Sequence, residues 1–88
     1  MEKYTFITEY RGGTYISQYK ASSLIEVLRL WANNLDKKIF TLNKKEKILF
    51  EIENPDFFPM PISGIDNVWC GAYLSGSFFL LVNIIKTV

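Results

Sequence analysis

The residues that most restrict this chain are Leu24, Val27, Leu28, Trp31 and Leu35. Their spacings of three and four place them along one side of a helix. Ser23, three residues ahead of Glu26, supplies a start signal. Its hydroxyl can accept from a first-turn amide, while the glutamate reaches back and sits at the positive end of the helix dipole. Ile25 and Leu30 widen the stripe; Glu26, Arg29, Asn33 and Asn34 lie off it. The helix, read over 23–35, is expected to close near Asn33-Asn34, because asparagine tolerates the left-handed conformation common at helix ends. A helix of about 12 residues is marginal alone in water. It must lie on an apolar support, with Trp31 as its main anchor.

The flanking sequence supplies that support as sheet. Lys3 to Tyr10 alternates, with Tyr4, Phe6, Thr8 and Tyr10 on one face and Thr5, Ile7 and Glu9 on the other. Thr14 to Lys20 is rich in aromatic, β-branched and hydroxyl residues. Gly12-Gly13 between them reads as a two-residue hairpin loop with positive φ at both centres. That register sets Tyr10 opposite Tyr15, Thr8 opposite Ser17 and Phe6 opposite Tyr19. The opposite face, with Ile7, Ile16, Gln18 and Glu9, is only half apolar. The helix is expected to cover the aromatic face, since each aromatic ring removes about 150–250 Å² from water.

After the polar connection Asp36-Lys37-Lys38, Ile39 to Leu42 reads as a brief strand or a loop tucked into the core. Residues 43–53 read two ways: Ile48, Phe50 and Ile52 alternate like a strand, while Asn43-x-x-Glu46 and the face of Ile48, Leu49 and Ile52 fit a second short helix, the reading favoured because Lys, Glu and Leu dominate them. Pro55, Pro59 and Pro61 forbid regular structure from Asn54 to about Ser63. Phe57, Phe58, Met60 and Ile62 hold that segment against the body. Asp66 to Leu74 and Ser77 to Lys86 form a second hairpin about Ser75-Gly76. Tyr73 then faces Phe78, Trp69 faces Val82, Asn67 faces Ile84, Cys70 faces Leu81 and Ala72 faces Phe79. Both faces of this hairpin are apolar, the mark of strands covered on both sides.

The fold class that results is α+β. An antiparallel sheet of about four strands, from the N-terminal and C-terminal hairpins, carries one main helix on one face and a short second helix or irregular segment. Residues 1–88 form a single domain. Domains of this size bury only about 60–65% of their unfolded surface, so a partner or a dimer would help. Hydrophobic residues at 49% and charged residues at 22% describe a globular chain. A net charge of +1 gives no strong pull toward nucleic acid or anionic lipid. One cysteine cannot form an intramolecular disulfide, no basic-then-apolar leader is read, and no apolar run approaches the ~20 residues of a membrane helix. A cytoplasmic protein is expected.

Catalysis finds little support. There is no histidine, the commonest acid–base residue and nitrogen metal ligand. Cys70 reads as a small buried hydrophobe, with no cation or helix start nearby to activate it. Glu51, Glu53 and Asp56 read as a solvated face. Gly12-Gly13 lacks the lysine and wider glycine pattern of a phosphate loop. No catalytic residue, cofactor, metal or enzymatic activity is expected.

What the sequence offers instead is surface. Tyr10, Arg11 and Tyr15 cluster at the first hairpin tip, and Tyr and Arg are common interface hot-spot types. These are the candidate protein-interaction residues of a small non-catalytic module, one that binds another protein or itself, as in a homodimer, through apolar and aromatic sheet surface. The alternative is a single-strand nucleic-acid binder. Lys37, Lys38, Lys44, Lys45 and Lys47 hold five of the ten basic residues, and bases could stack on Tyr4, Tyr10, Tyr15 or Tyr19 if that face were open. No RNP-type motif accompanies them, and no membrane partner is expected.

Overall fold

Two hairpins meet along their inner strands to make one sheet. The computed structural model describes residues 1–87. In chain order it has β1 (Glu2–Tyr10), β2 (Gly13–Ala21), α1 (Leu24–Asn33), α2 (Leu42–Ile52), a 3-10 turn over Pro55–Phe57, β3 (Met60–Pro61), β4 (Val68–Ser75) and β5 (Phe78–Thr87). The sheet order is β2-β1-β5-β4-β3, all antiparallel. The fold is therefore α+β, with five strands where about four were expected. The fifth is the two-residue β3, which pairs Met60 with Cys70 and Pro61 with Trp69 inside the proline-rich stretch. Proline is tolerated there because β3 is an edge.

Both hairpin registers differ from the sequence reading by two residues. The first turn is Arg11-Gly12, at φ 50° and 82°, so Tyr10 pairs with Gly13, Thr8 with Tyr15, Phe6 with Ser17 and Tyr4 with Tyr19. Gly13 is held in the strand by the Tyr15 ring folded over it: a Cβ there would meet the Tyr15 hydroxyl at 2.7 Å. The second turn is Gly76-Ser77, with Gly76 at φ 64°. Ser75 is buried, pairs with Phe78, and its carbonyl accepts the Tyr10 hydroxyl at 3.2 Å. Tyr73 thus faces Leu80, Trp69 faces Ile84, Cys70 faces Asn83 and Ala72 faces Leu81. An even shift changes neighbours and leaves the faces unchanged.

The helices lie on the aromatic face, as burial energy requires. α1 starts at Ser23, whose Oγ accepts from the Glu26 amide at 3.3 Å; the Glu26 carboxylate accepts from the Ser22 amide, one residue earlier than a capping box. The helix does not end left-handed: Asn34 has φ −102°. Instead the Asn33 and Asn34 side-chain amides donate to the carbonyls of Arg29 and Leu30 at 2.9 and 2.8 Å. Thr41 caps α2, two residues before the Asn43 start read from sequence, with its Oγ1 3.5 Å from the Lys44 amide. Between the helices Phe40 is buried against Tyr10, with ring centroids 4.7 Å apart, so this segment is a tucked loop and not a strand. In the proline-rich stretch the buried residue is Pro59; Phe57, Phe58 and Met60 remain exposed.

Trp31 sits at the centre of this layer, 1% exposed. Its ring stacks on Phe6 at 5.4 Å and 15°, tilts against Tyr73 at 6.1 Å, and its Nε1–H donates to Thr8 Oγ1 at 3.2 Å. Val27, Leu28, Ala32 and Leu35 are buried beside it, and Leu24 is half-buried. Trp31→Ala is expected to cost about 3–5 kcal/mol, the range for an aromatic lost from a core. That is a large share of the roughly 5–15 kcal/mol available to a domain. Urea unfolding followed by circular dichroism measures it; a loss below about 1 kcal/mol would contradict the central placement of this ring.

Candidate functional site

Because successive strand residues point to opposite sides, covering one face leaves the other to be assigned, and no helix lies on it. One cross-strand row on this face reads Ile16, Ile7, Asn83, Cys70, Met60. The next reads Thr14, Glu9, Leu81, Ala72, with Phe79 and Leu74 paired beyond it. Exposure is 69% for Ile16, 65% for Phe79, 47% for Leu81 and 70% for Met60. Core residues of the helix side, such as Phe6, Leu80 and Ile84, are at 0%. The expectation that the second hairpin is covered on both sides is corrected for the chain itself: α2 shields one side only. Cys70 is corrected with it. It points to the helix-free face and is exposed, not a buried hydrophobe.

Polar groups frame this apolar field. Gln18 Nε2 donates to Thr5 Oγ1 at 3.0 Å across β1 and β2, and Lys3 pairs with Lys20 at one end of the strands. At the other end a hollow of about 350 Å³ runs from the Arg11-Gly12 turn and Glu9 to Phe79 and Leu81. Leu42 and Phe50 also protrude, from α2, but the other exposed positions of that helix include Asn43, Glu46 and Lys47. Scattered apolar side chains of that kind are ordinary on a surface; a contiguous field across several strands is not.

The hairpin-tip candidates do not form one patch. Tyr10 is buried, its ring against Phe40 and Phe78 and its hydroxyl on Ser75. Arg11 is exposed with its guanidinium carbon 4.7 Å from the Phe78 ring centre, a cation–π contact. Tyr15 is 43% exposed. The tyrosines that would have stacked bases lie on the helix side: Tyr4 and Tyr10 are buried and Tyr19 is half-buried.

The lysines are likewise divided. Lys37, Lys38 and Lys47 are exposed and Lys44 is half-buried. Lys45 is buried, and its Nζ lies 3.4 Å from the Asn33 carbonyl. It places a positive charge on the last turn of α1, where the helix dipole is negative.

The carboxylates also have separate surroundings. Glu53 pairs with Arg29 at 2.6 Å, tying the end of α2 to α1. The Arg29 guanidinium holds the Glu53 carboxyl below its ordinary pKa, and the Arg29 pKa is raised in return. Asp56 is exposed beside Asn54, whose Oδ1 accepts its amide. Glu51 is buried. Among the described residues no three His, Cys, Asp or Glu side chains come together as a metal set.

A hollow of about 160 Å³ between β2 and residues 34–40 is lined mainly by Tyr15, Tyr19, Trp31 and Phe40, with Asp36 its one charged group. It lacks the paired titratable groups that acid–base chemistry requires. No helix among the described residues is long and apolar enough to cross a membrane. No family model, curated protein or solved structure matches the chain.

Ile7 and Ile16 lie on the face expected to stay free of the helix, whereas the residues of the second hairpin on that face are expected to be covered. Their signal was the double-sided hydrophobicity of 68–85. Which side stays open depends on where 42–52 docks, and α2 docks against β4 on the aromatic side.

That docking leaves three polar atoms without hydrogen-bond partners among the described residues: Glu51 Oε2, the Tyr73 hydroxyl and Ser75 Oγ. Burial, and then the charge of Glu51, push the Tyr73 phenol up to about 12. The neutral phenol is the form the fold favours. Its contribution is complete below pH 10, the ordinary value, and is lost as pH rises from there toward about 12. Tyr73→Phe removes this alkaline loss and an unpaired hydroxyl together, and stays within about 1 kcal/mol of the parent at neutral pH. Urea midpoints at pH 7, 10 and 11.5 check both expectations.

Proposed function

We propose that this protein is a small non-catalytic interaction module whose working surface is the helix-free face of its sheet, built to be covered by another protein surface, a second copy of the chain included. The observation that carries this reading is the set of exposed side chains Ile16, Leu81, Phe79 and Met60 on this face, with the half-buried Ile7 between Ile16 and β5. A monomer that kept this field in water would forgo about 25 cal/mol for each Å² of apolar surface left uncovered. The polar frame of Thr5, Gln18, Glu9 and Lys3 gives the patch the rim expected of a protein interface. A reducing, cytoplasmic setting suits it, because Cys70 lies free within the same face.

The test is paired. The parent protein is expected to bind an apolar dye such as anilinonaphthalene sulfonate. The double variant Phe79→Asp/Leu81→Asp is expected to lose most of that signal, with unchanged circular dichroism and stability within about 1 kcal/mol, since both side chains are already exposed. A parent that binds no dye and sediments as a monomer at every concentration overturns the reading.

A further inference from the structure

The sheet has two unlike edges. β3 closes one with two residues ending in Pro61, next to the buried Pro59. Short, proline-bearing strands are a usual way to blunt an edge. The other edge is β2, nine residues without a proline. At about 3.4 Å per residue it runs roughly 30 Å, close to the 32 Å length of the molecule. The two-residue turn makes Tyr10–Gly13 a hydrogen-bonded pair, so Gly13, Tyr15, Ser17 and Tyr19 aim their amides and carbonyls at β1. Thr14, Ile16, Gln18 and Lys20 aim theirs outward, where among the described residues no backbone group meets them. Such a row is the complement of another extended strand.

We propose that β2 pairs antiparallel with β2 of a second copy, about a two-fold axis at Ser17, joining two five-stranded sheets into one. This rests on the interaction reading above and names a second copy as a partner at the β2 edge, with the helix-free face left open in the joined sheet. Three observations favour a second copy. Ser17 is the midpoint of Gly13–Ala21, so pairing about it leaves no overhang. Ile16 meets Gln18 of the second copy, Thr14 meets its Lys20 and Tyr15 meets its Tyr19. The edge is also self-complementary in charge. Lys3 and Lys20 pair at one end of the hairpin, and Glu9 pairs with Thr14 at the other. The two-fold brings Lys20 beside Thr14 of the other copy, one strand from Glu9, and holds the two Lys20 residues a strand length apart. Parallel pairing would set them side by side. Finally, Tyr15 and Tyr19 are only partly buried and border the 160 Å³ hollow. Cross-strand tyrosine pairs therefore have room and apolar surface to cover. The joined sheet sets the two helix-free faces edge to edge.

The register is tested by cross-linking. Across the axis Ser17 meets Ser17 in a non-hydrogen-bonded pair, with Cα atoms about 4.5 Å apart, inside the range a disulfide spans. Ser17→Cys in a Cys70→Ser background is expected to form a covalent dimer on mild oxidation. Ile16→Cys in the same background, facing Gln18 of the other copy, should form at least tenfold less. Gln18→Pro removes one outward amide and keeps the β1–β2 ladder, since edge strands accept proline where the N–H faces solvent. It is expected to sediment as a monomer where the parent and Leu81→Asp sediment as dimers. A parent that binds dye but never dimerises overturns the edge pairing and leaves the interaction reading standing. So does a dimer that survives Gln18→Pro and splits with Leu81→Asp. A parent that neither binds dye nor dimerises overturns both. Should Gln18→Pro fail to fold, the ratio of the two cysteine cross-links decides.

Discussion

The indole of Trp31 joins the two layers of this protein. One ring face stacks on Phe6 of β1, Tyr73 of β4 tilts against it, and its N–H satisfies the buried Thr8 hydroxyl. α1 is ten residues long, too short to persist alone, so its existence depends on this anchorage. Phe6 and Tyr73 lie on strands separated by β5. One side chain therefore bears on β1 and β4, one strand from each hairpin, and holds the two hairpins as a single support.

Placing all the helical cover on one side has a cost that the chain does not offset internally. Tyr4, Phe6, Tyr10, Leu80, Val82 and Ile84 are sealed at 3% exposure or less. Their strand neighbours Ile7, Leu81 and Ile85 belong to the other face, on which no helix lies among the described residues. Of the tyrosines and the lysine run, Tyr4, Tyr10 and Lys45 lie inside the fold, while Lys37, Lys38 and Lys47 stay on the surface. Tyr10 ties β1 to the end of β4, and Lys45 neutralises the end of α1. Two residues that look like surface chemistry are structural, and residues that look like core are surface.

The four long strands and α1 are legible because each carries a local signal; the two-residue β3, inside a stretch that proline is expected to keep irregular, is not. Period two marked β1 and β2, period three-to-four marked α1 and α2, and glycines marked the turns. Ser23 announced α1 by the chemistry that caps it. The misreadings all concern choices made between elements. In both hairpins the turn lies one residue from the expected place: Arg11 takes the positive φ in place of Gly13, and Ser75 stays in β4, where its carbonyl accepts from the Tyr10 hydroxyl. The left-handed stop expected near Asn33-Asn34 is absent, and the two side-chain amides cap the helix instead. Cys70 was assigned to the interior on residue type alone. Its place was decided by the alternation of β4 and by where α2 lies, which no window around position 70 contains.

The sheet is closed by β1 against β5, with Lys3 beside Thr87. The two strands joined there are the most distant in sequence. On a ribosome the first hairpin would emerge with Tyr4, Phe6 and Tyr10 uncovered and one whole flank unpaired until Phe78–Thr87 arrived. Loop closure over nearly the full chain makes assembly late and slow relative to helical proteins of the same size. The half-made sheet, more than the finished one, is then the species most in need of a chaperone.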